Sequence, residues 1–193
     1  LRADRDEKRL GGAANVAQMV RGLEADATLA TVVGHDADGE FLRRELTSAG
    51  INCSAMIVDS SRPTTVKERF IGRAQNRHPH QMLRVDRETR EPLDAAREAE
   101  LLAVLLPMIP KHQAILVSDY GKGVCTPNVL AEVIRVAKSC GVPVIVDPRP
   151  GSDYSAYQGA TAITPNRLET KLATGSEVRD ADDAFRAGHE LCK

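Results

Sequence analysis

The chain has 193 residues, 42% hydrophobic and 27% charged, with a formal net charge of -1. This length suits one domain with a full core, or most of a slightly larger one. The balanced charge gives no reason to expect binding to nucleic acid or acidic membranes, and no apolar stretch approaches the roughly 20 residues that cross a bilayer. Four cysteines without a CxxC pair and a charged start, LRADRDEKRL, indicate free thiols in the cytoplasm and no signal peptide.

The predicted elements alternate between helices and strands from about residue 12 onward. GGAANVAQMV (11–20) opens a helix with two glycines, and ATLATVVG (27–34) is typical of a strand. DADGEFLRRELTSAG (36–50) carries apolar residues on one helical face. Residues 94–109 predict another helix, and AILVSD (114–119) predicts a short buried strand.

The second half of the chain continues this alternation. TPNVLAEVIRVAKSCG predicts a helix with Thr126 as its N-cap and Pro127 at its first position. The strands PVIVD (143–147) and TAIT (161–164) follow, and a further helix begins near residue 166. Strand–helix–strand units at this spacing predict an α/β fold, a mostly parallel, doubly wound sheet with helices on both faces.

Residues 64–86 depart from the alternation. TTVKERFIGRAQNRHPHQMLRVD contains two alternating runs around a polar loop, which predicts an antiparallel hairpin inserted in the α/β chain. Between Arg62 and Arg90 the sequence holds eight Lys or Arg and three acids, a local balance of +5. The cations stand at 62, 67, 69, 73, 77, 84, 87 and 90, and the acids at 68, 86 and 88.

Polar side chains follow three predicted strands directly, in SDYGKG, DPRP and PNRLE. Ligands of open α/β sheets bind outside the carboxyl ends of parallel strands, so we expect these side chains to converge on one edge of the sheet. They are Asp119, Lys122, Asp147, Arg149, Asn166 and Glu169. The alternative is that each one only caps the helix that follows, because Asp and Asn often begin turns and helices.

The sequence lacks several common catalytic patterns: the P-loop, the dinucleotide G-x-G-x-x-G, the zinc motif H-E-x-x-H and the nucleophile elbow G-x-S-x-G. What remains is acids and an amide for a metal ion, cations for phosphate, and a helix opened by glycines. This inventory suits phosphoryl transfer to a small polar acceptor.

Several blocks of the sequence, taken in order, resemble the ribokinase-like (PfkB) carbohydrate kinases. They are GGAANVA (11–17), GHDADG (34–39), SDYGKG (118–123), DPR (147–149) and TPNRLE (164–169). With TTVKERF and QMLRVD added, the combination is most similar to the branch that phosphorylates a heptose 7-phosphate on the way to ADP-heptose and lipopolysaccharide core. The resemblance implies a ribokinase-like fold over 1–193, with 62–90 as its β-lid hairpin.

The resemblance also implies roles on the sugar side. Gly11 and Gly12 would let the sugar lie against main chain, and the amide of Asn15 would hydrogen-bond its hydroxyls. Asp119 would hold sugar hydroxyls from its strand end.

On the cofactor side, the resemblance implies ATP and Mg²⁺. Asn166 and Glu169 are similar to an N-x-x-E pair that orders Mg²⁺ and its waters near the ATP phosphates. Asp147 and Lys122 are expected on the same side.

The basic hairpin is similar to a β-lid that covers the sugar and often makes a dimer contact, so a homodimer through the lid is expected. We hypothesise that Lys67, Arg69 and Arg84 bind the phosphate already on the substrate. The alternative is that these cations keep an exposed edge strand from aggregating.

Two parts of the family pattern fall outside residues 1–193: an opening strand, and a later G-A-G-D block with the general-base aspartate and most of the adenine pocket. No general base is therefore assigned. The chain is expected to be a fragment, incomplete at both ends, with little turnover alone. Another PfkB sugar or sugar-phosphate kinase, or a non-catalytic sugar-phosphate-binding or dimerisation domain, stays open as an alternative.

Overall fold

The structure is a computed structural model that describes residues 5–72 and 78–192. The chain divides into two units, Leu1–Glu91 and Pro92–Lys193. The assignment of the whole chain to one kinase domain stays a prediction. Two of the predicted hairpin cations, Arg73 and Arg77, lie outside the described residues.

The first unit contains two helices, a short parallel strand pair and an antiparallel hairpin. Its elements are α1 Gly12–Gly22, β1 Thr31–Val33, α2 Ala37–Ser48, β2 Met56–Val58, β3 Val66–Gly72 and β4 His80–Arg87. Strand β1 pairs in parallel with β2, and β3 pairs antiparallel with β4. The strand predicted at 27–34 is shorter than expected because its partner is only three residues long, with one isolated bridge from Thr28 to Asn52.

A network of hydrogen bonds joins the end of β1 to the base of the hairpin. Asp36 Oδ1 accepts from Gly39 N at 2.8 Å and so caps α2, while its Oδ2 accepts from Thr64 N at 2.8 Å. Thr64 Oγ1 in turn accepts from Gly34 N at 2.9 Å. The hydrogen bonds to Asp36 outweigh its desolvation, which would raise its pKa, and hold that pKa below its usual value.

A buried ion pair between Asp59 and Arg62 connects the two ends of the hairpin segment. Asp59 is 3% exposed and accepts hydrogen bonds from Ser61 and, at 3.0 Å, from Arg62 Nε. The hydrogen bonds from Ser61 are the main reason that the pKa of Asp59 is lowered. Arg62 Nη2 also donates to Glu91 O at 3.2 Å, beyond the end of β4. The chain entering β3 and the chain leaving β4 therefore share one anchor.

The second unit is built on a three-stranded parallel sheet. Its elements are α3 Ala95–Leu105, a 3-10 helix Leu106–Lys111, β5 Ile115–Ser118, α4 Pro127–Ser139, β6 Val144–Asp147, a 3-10 turn Ser155–Tyr157, β7 Ala162–Ile163, α5 Arg167–Thr174 and α6 Ala181–Leu191. The strand order is β5-β6-β7, and both pairings are parallel.

The structure confirms the predicted helix α4 and its N-cap. The Thr126 side chain accepts from Val129 N at 3.2 Å, Pro127 occupies the first turn, and Gly141 just beyond the helix has φ +70°. One face of the helix is buried and consists of Val129, Leu130, Val133, Ile134 and Ala137. Burial of that apolar stripe fixes the helix within the unit, where it contacts α3, the 3-10 helix and the 3-10 turn.

The prediction that AILVSD forms a buried strand is wrong in one respect. Val144 and Val146 of β6 are 2% and 0% exposed, but Leu116 of β5 is 49% exposed. Leu116 pairs with Ile145, which alternation places on the face opposite to Val144 and Val146. The sheet is thus well covered on one face, and its other face is open at β5.

Among the helices that the structure describes, none is both long enough and apolar enough to span a bilayer.

We expect Gly34→Ala to lower the free energy of unfolding by about 1–3 kcal/mol, the usual cost of overpacking a tight site. An added Cβ would lie 2.5 Å from Asp36 Oδ2 and 2.6 Å from Arg62 O. Urea unfolding followed by circular dichroism measures the change. Gly22→Ala is the matched control, because a Cβ there meets nothing within 4 Å. Equal stabilities of the two variants would contradict a packing role for Gly34.

Candidate functional site

The carboxyl ends of the three parallel strands meet at one edge of the sheet. Ser118 is in register with Asp147, and Asp119 N donates to Asp147 O at 3.0 Å. On the other side of β6, Thr164 N donates to Val146 O at 2.9 Å, two residues before Asn166. The structure therefore places Asp119, Asp147 and the start of α5 along the same edge.

Asp119 is held firmly at this edge. It is 7% exposed, and its Oδ1 accepts from Gly121 N at 2.8 Å. Its Oδ2 accepts from the hydroxyl of Tyr157 at 2.7 Å. Gly121 has φ +62°, a conformation that favours glycine and shapes the turn around the carboxylate.

The groups around Asp119 titrate far from neutrality. Burial, followed by the hydrogen bond to Asp119, raises the pKa of Tyr157, so its hydroxyl stays protonated and can donate. Burial, with a smaller contribution from the Asp119 charge, raises the pKa of the Cys125 thiol to about 12. This thiol is therefore not a nucleophile at neutral pH.

Asn166 and Glu169 form a complete capping box on α5. Asn166 Oδ1 accepts from Leu168 N and Glu169 N, both at 3.0 Å, and Glu169 Oε2 accepts from Asn166 N at 2.8 Å. The helix-capping alternative therefore describes how these side chains are used in the structure. Glu169 is 8% exposed and its other oxygen, Oε1, accepts no hydrogen bond from the described residues.

The donor set at the edge is too small for a metal site made of protein alone. No group of three or more His, Cys, Asp or Glu side chains among the described residues could hold a metal ion. Mg²⁺ commonly keeps several waters and binds through one or two carboxylates together with substrate phosphates. The uncommitted Glu169 oxygen and the exposed Asp147 fit that kind of site, in which water joins the carboxylate to the metal ion. Lys122 lies in the loop that follows β5.

Two tyrosines at the edge were missed by the sequence analysis. Tyr154 and Tyr157 pack edge to face, with ring centroids 5.5 Å apart and planes at 65°. The hydroxyl oxygen of Tyr154 is buried and has no hydrogen-bond partner among the described residues. Burial raises the pKa of Tyr154, and the charge of Glu169 adds to that rise. Only their place just after DPRP, in a chain with three tyrosines, could have drawn attention to them.

The glycine pair lies in the first unit, at the start of α1. Gly12 has φ +51°, a left-handed conformation that favours glycine, so the backbone geometry accounts for a glycine at this position. Gly11 is the N-cap in an extended conformation, and a Cβ on it would meet nothing within 4 Å. Within residues 5–72 and 78–192, no side chain forms a capping hydrogen bond at this helix end. Asn15 is exposed, and its amide makes only a long contact of 3.8 Å with Met19 Sδ.

The three candidate phosphate-binding cations lie on one face of the hairpin. Lys67 Nζ contacts Asp86 Oδ2 at 2.8 Å and Glu88 Oε2 at 3.4 Å, and Arg84 Nε contacts Asp86 Oδ1 at 2.9 Å. The hydrogen bond from Lys67 is the main reason that the pKa of Asp86 is lowered. Lys67 and Arg84 are therefore each paired with an acid of the hairpin, and the local balance of +5, which already counts those acids, remains.

Arg69 differs from its neighbours. It stands directly opposite Arg84 in the strand register, and it makes no ion pair with any carboxylate of the described residues. Its Nη1 only reaches Lys67 O, at 3.4 Å. Like charges at directly opposite positions of a strand pair are destabilising unless something neutralises them.

The cavity next to Asn166 does not gather the remaining edge residues. It has a volume of about 640 Å³, lies between α5 and α6, and is lined by Asn166 but not by Asp119, Asp147 or Glu169.

Comparison with known proteins gives consistent matches along the chain. The pfkB family of carbohydrate kinases matches residues 1–193. The bifunctional protein HldE of Geobacter metallireducens is 40% identical over 191 residues, covering 99% of this chain and 38% of that protein. HldE of Helicobacter hepaticus is 41% identical over 186 residues, covering 96% of this chain and 37% of that protein. The chain therefore spans well under half the length of these curated relatives.

Solved structures share the fold at low sequence identity. The ribokinase of Arabidopsis thaliana, solved with ribose and ATP, has a TM-score of 0.66 at 16% identity, over 93% of this chain and 55% of that one. The tetrameric inhibited form of Escherichia coli phosphofructokinase-2 has a TM-score of 0.64 at 18% identity, over 99% of this chain and 63% of that one. These matches confirm the predicted ribokinase-like α/β fold, and with the match over the entire sequence the chain belongs to the pfkB family of carbohydrate kinases.

Proposed function

We propose that this chain is the sugar-binding part of a kinase that transfers the γ-phosphoryl group of ATP to the anomeric hydroxyl of a heptose 7-phosphate. The anomeric hydroxyl gives up its proton and its oxygen bonds to the γ-phosphorus, while the bond from that phosphorus to the bridging oxygen breaks and ADP leaves. The product would feed ADP-heptose synthesis. The observation that carries the proposal is the facing pair Arg69 and Arg84 on the hairpin.

This arginine pair suits a phosphate that is already on the substrate. A phosphate dianion between two guanidinium groups would replace their repulsion by charge-assisted hydrogen bonds, which are about twice as strong as neutral ones. Lys67 lies two residues before Arg69 on the same strand face and would add a third positive charge. The ion pairs with Asp86 hold Lys67 and Arg84 beside Arg69.

Gly11, Gly12, Asn15 and Asp119 would bind the sugar ring. The open space at Gly11 lets a ligand approach the main chain, and the uncapped start of α1 offers free backbone N–H groups. The Asn15 amide can donate and accept at once, as hydroxyl groups require.

Asn166, Glu169, Asp147 and Lys122 would serve the Mg²⁺ complex of ATP. In this arrangement Glu169 keeps one oxygen in the capping box and offers the other to a water on the metal ion. The metal ion would neutralise charge on the phosphates during transfer. No Asp of residues 1–193 stands in a Gly-Ala-Gly context, so no residue here is given the role of general base.

The second candidate is a kinase of the same family that acts on a different sugar. The fold is common to PfkB kinases, and only Arg69 and its neighbours on the hairpin favour a substrate that already carries a phosphate. A thermal-shift panel of heptose 7-phosphate, ribose and fructose 6-phosphate separates the two, since at equal concentration the ligand with the lowest dissociation constant raises the melting temperature most.

We expect Arg69→Ala to weaken the binding of heptose 7-phosphate to the chain about tenfold or more, the usual range for one hydrogen bond to a charged group. Titration calorimetry measures the dissociation constant. The effect should be absent for a heptose without its 7-phosphate. Arg135→Ala, which removes an arginine paired with Glu132 on α4, is the control. Unchanged binding in both Arg69→Ala and Arg84→Ala would show that these arginines do not bind the phosphate of the substrate.

The opposite face of the hairpin carries an exposed apolar cluster, next to the exposed Glu68 that pairs with Val85. Phe70 pairs with Leu83, and Val85 lies two residues further along the same strand face. Their exposed fractions are 47%, 56% and 40%. We propose that a second copy of the chain covers this face, which gives the homodimer through the β-lid.

Replacement of Leu83 by Asp should shift the chain from dimer to monomer in sedimentation-velocity measurements, because a buried carboxylate without a partner is costly. Leu23→Asp is the control, since Leu23 is 81% exposed at the end of α1. A chain that sediments as a monomer before any substitution would rule out the lid-mediated dimer.

Residues 1–193 alone should form little or no ADP, because none of their aspartates stands in the Gly-Ala-Gly context expected of the base that takes the proton from the acceptor hydroxyl. A coupled assay for ADP, run with and without heptose 7-phosphate, tests this expectation. Sugar-dependent ADP formation by these residues would contradict it and would call for a base within the chain.

A further inference from the structure

Tyr157 joins the ends of two neighbouring strands. It is 5% exposed in the 3-10 turn between β6 and β7. Its hydroxyl donates to Asp119 Oδ2 at 2.7 Å, beyond the end of β5, and accepts from Arg149 N at 3.3 Å, beyond the end of β6. These contacts give Tyr157 a fixed place beside the carboxylate of Asp119.

The hydroxyl of Tyr157 has a defined direction. A phenol has one proton to give and can accept at its oxygen. Because the oxygen accepts from Arg149 N, its proton is left for Asp119. The ring is held by its edge-to-face contact with Tyr154, at a centroid distance of 5.5 Å. The phenol therefore acts as a fixed donor.

The carboxylate of Asp119 keeps capacity for further donors. An ionised carboxylate offers about four acceptor positions, and the protein uses one on each oxygen, for Gly121 N and for Tyr157. With both oxygens held, the carboxylate plane cannot rotate freely about χ2, which is otherwise a soft torsion. The remaining acceptor positions then point in fixed directions.

We propose that Tyr157 is a positioning residue that orients Asp119 to accept hydrogen bonds from the hydroxyls of the sugar. This inference rests on the proposed function. Tyr157 does not touch the sugar in this arrangement, and its whole effect passes through Asp119.

The test is Tyr157→Phe, which keeps the ring and its packing and removes only the donor. Calorimetry with the chain and heptose 7-phosphate should show about tenfold weaker binding, as expected for loss of one hydrogen bond to a charged group. Tyr120→Phe is the matched control, because Tyr120 is the neighbour of Asp119 in sequence and is 52% exposed. The control should bind as the unmodified chain does.

A double-mutant cycle separates positioning from a merely structural role. Asp119→Ala should weaken binding, and adding Tyr157→Phe to it should cause no further loss, because residues that act through one another are not additive. Additive losses, or unchanged binding in Tyr157→Phe while Asp119→Ala binds weakly, would overturn the inference and leave the proposed function standing. Loss of the native circular dichroism in Tyr157→Phe would assign a structural role and overturn it as well.

The same measurements report on the proposed function separately. Unchanged binding in Asp119→Ala would remove Asp119 from the sugar site and the inference with it. Failure of the unmodified chain to bind heptose 7-phosphate would overturn both.

Discussion

The backbone ladder of β6 is the constraint on which the second unit depends. β6 pairs in parallel with β5 on one side and β7 on the other, and its side chain Val146 is completely buried. The last bonds of this ladder, from Asp119 N to Asp147 O and from Thr164 N to Val146 O, set where the strands stop. Each polar segment begins at that line, so the ladder alone brings together residues that are far apart in the chain.

In the first unit, hydrogen bonds from side chains position the hairpin. Its parallel strand pair β1–β2 is short, and the base of the hairpin is positioned by Asp36, Thr64 and the ion pair between Asp59 and Arg62. Thr64, Asp59 and the side chain of Arg62 are buried and Asp36 is half-buried, and hydrogen bonds to charged groups contribute most where water is excluded. The ion pairs on the hairpin itself are largely exposed and contribute little to stability. The anchoring of the hairpin and the charge it presents are therefore properties of different residues.

Local signals in the sequence predicted most elements, and features that depend on distant partners were missed. Thr126 and Gly141 mark the ends of α4 because caps act over one turn. Tyr157 could not be predicted, since its partner Asp119 is 38 residues away. The N-x-x-E spacing of Asn166 and Glu169 is the same for a capping box as for a metal site, so the spacing alone could not decide between them. AILV reads as buried because composition does not tell which face of a strand is covered.

The high pKa of the Cys125 thiol, about 12, has a practical consequence for work on this chain. Alkylating and oxidising reagents attack thiolates, so at neutral pH they would spare the strand-end edge. Cys140 at the end of α4 and Cys192 just after α6 are both exposed and would take the reagent instead. Fluorescent labels attached at these two positions would therefore leave the environment of Asp119 chemically untouched.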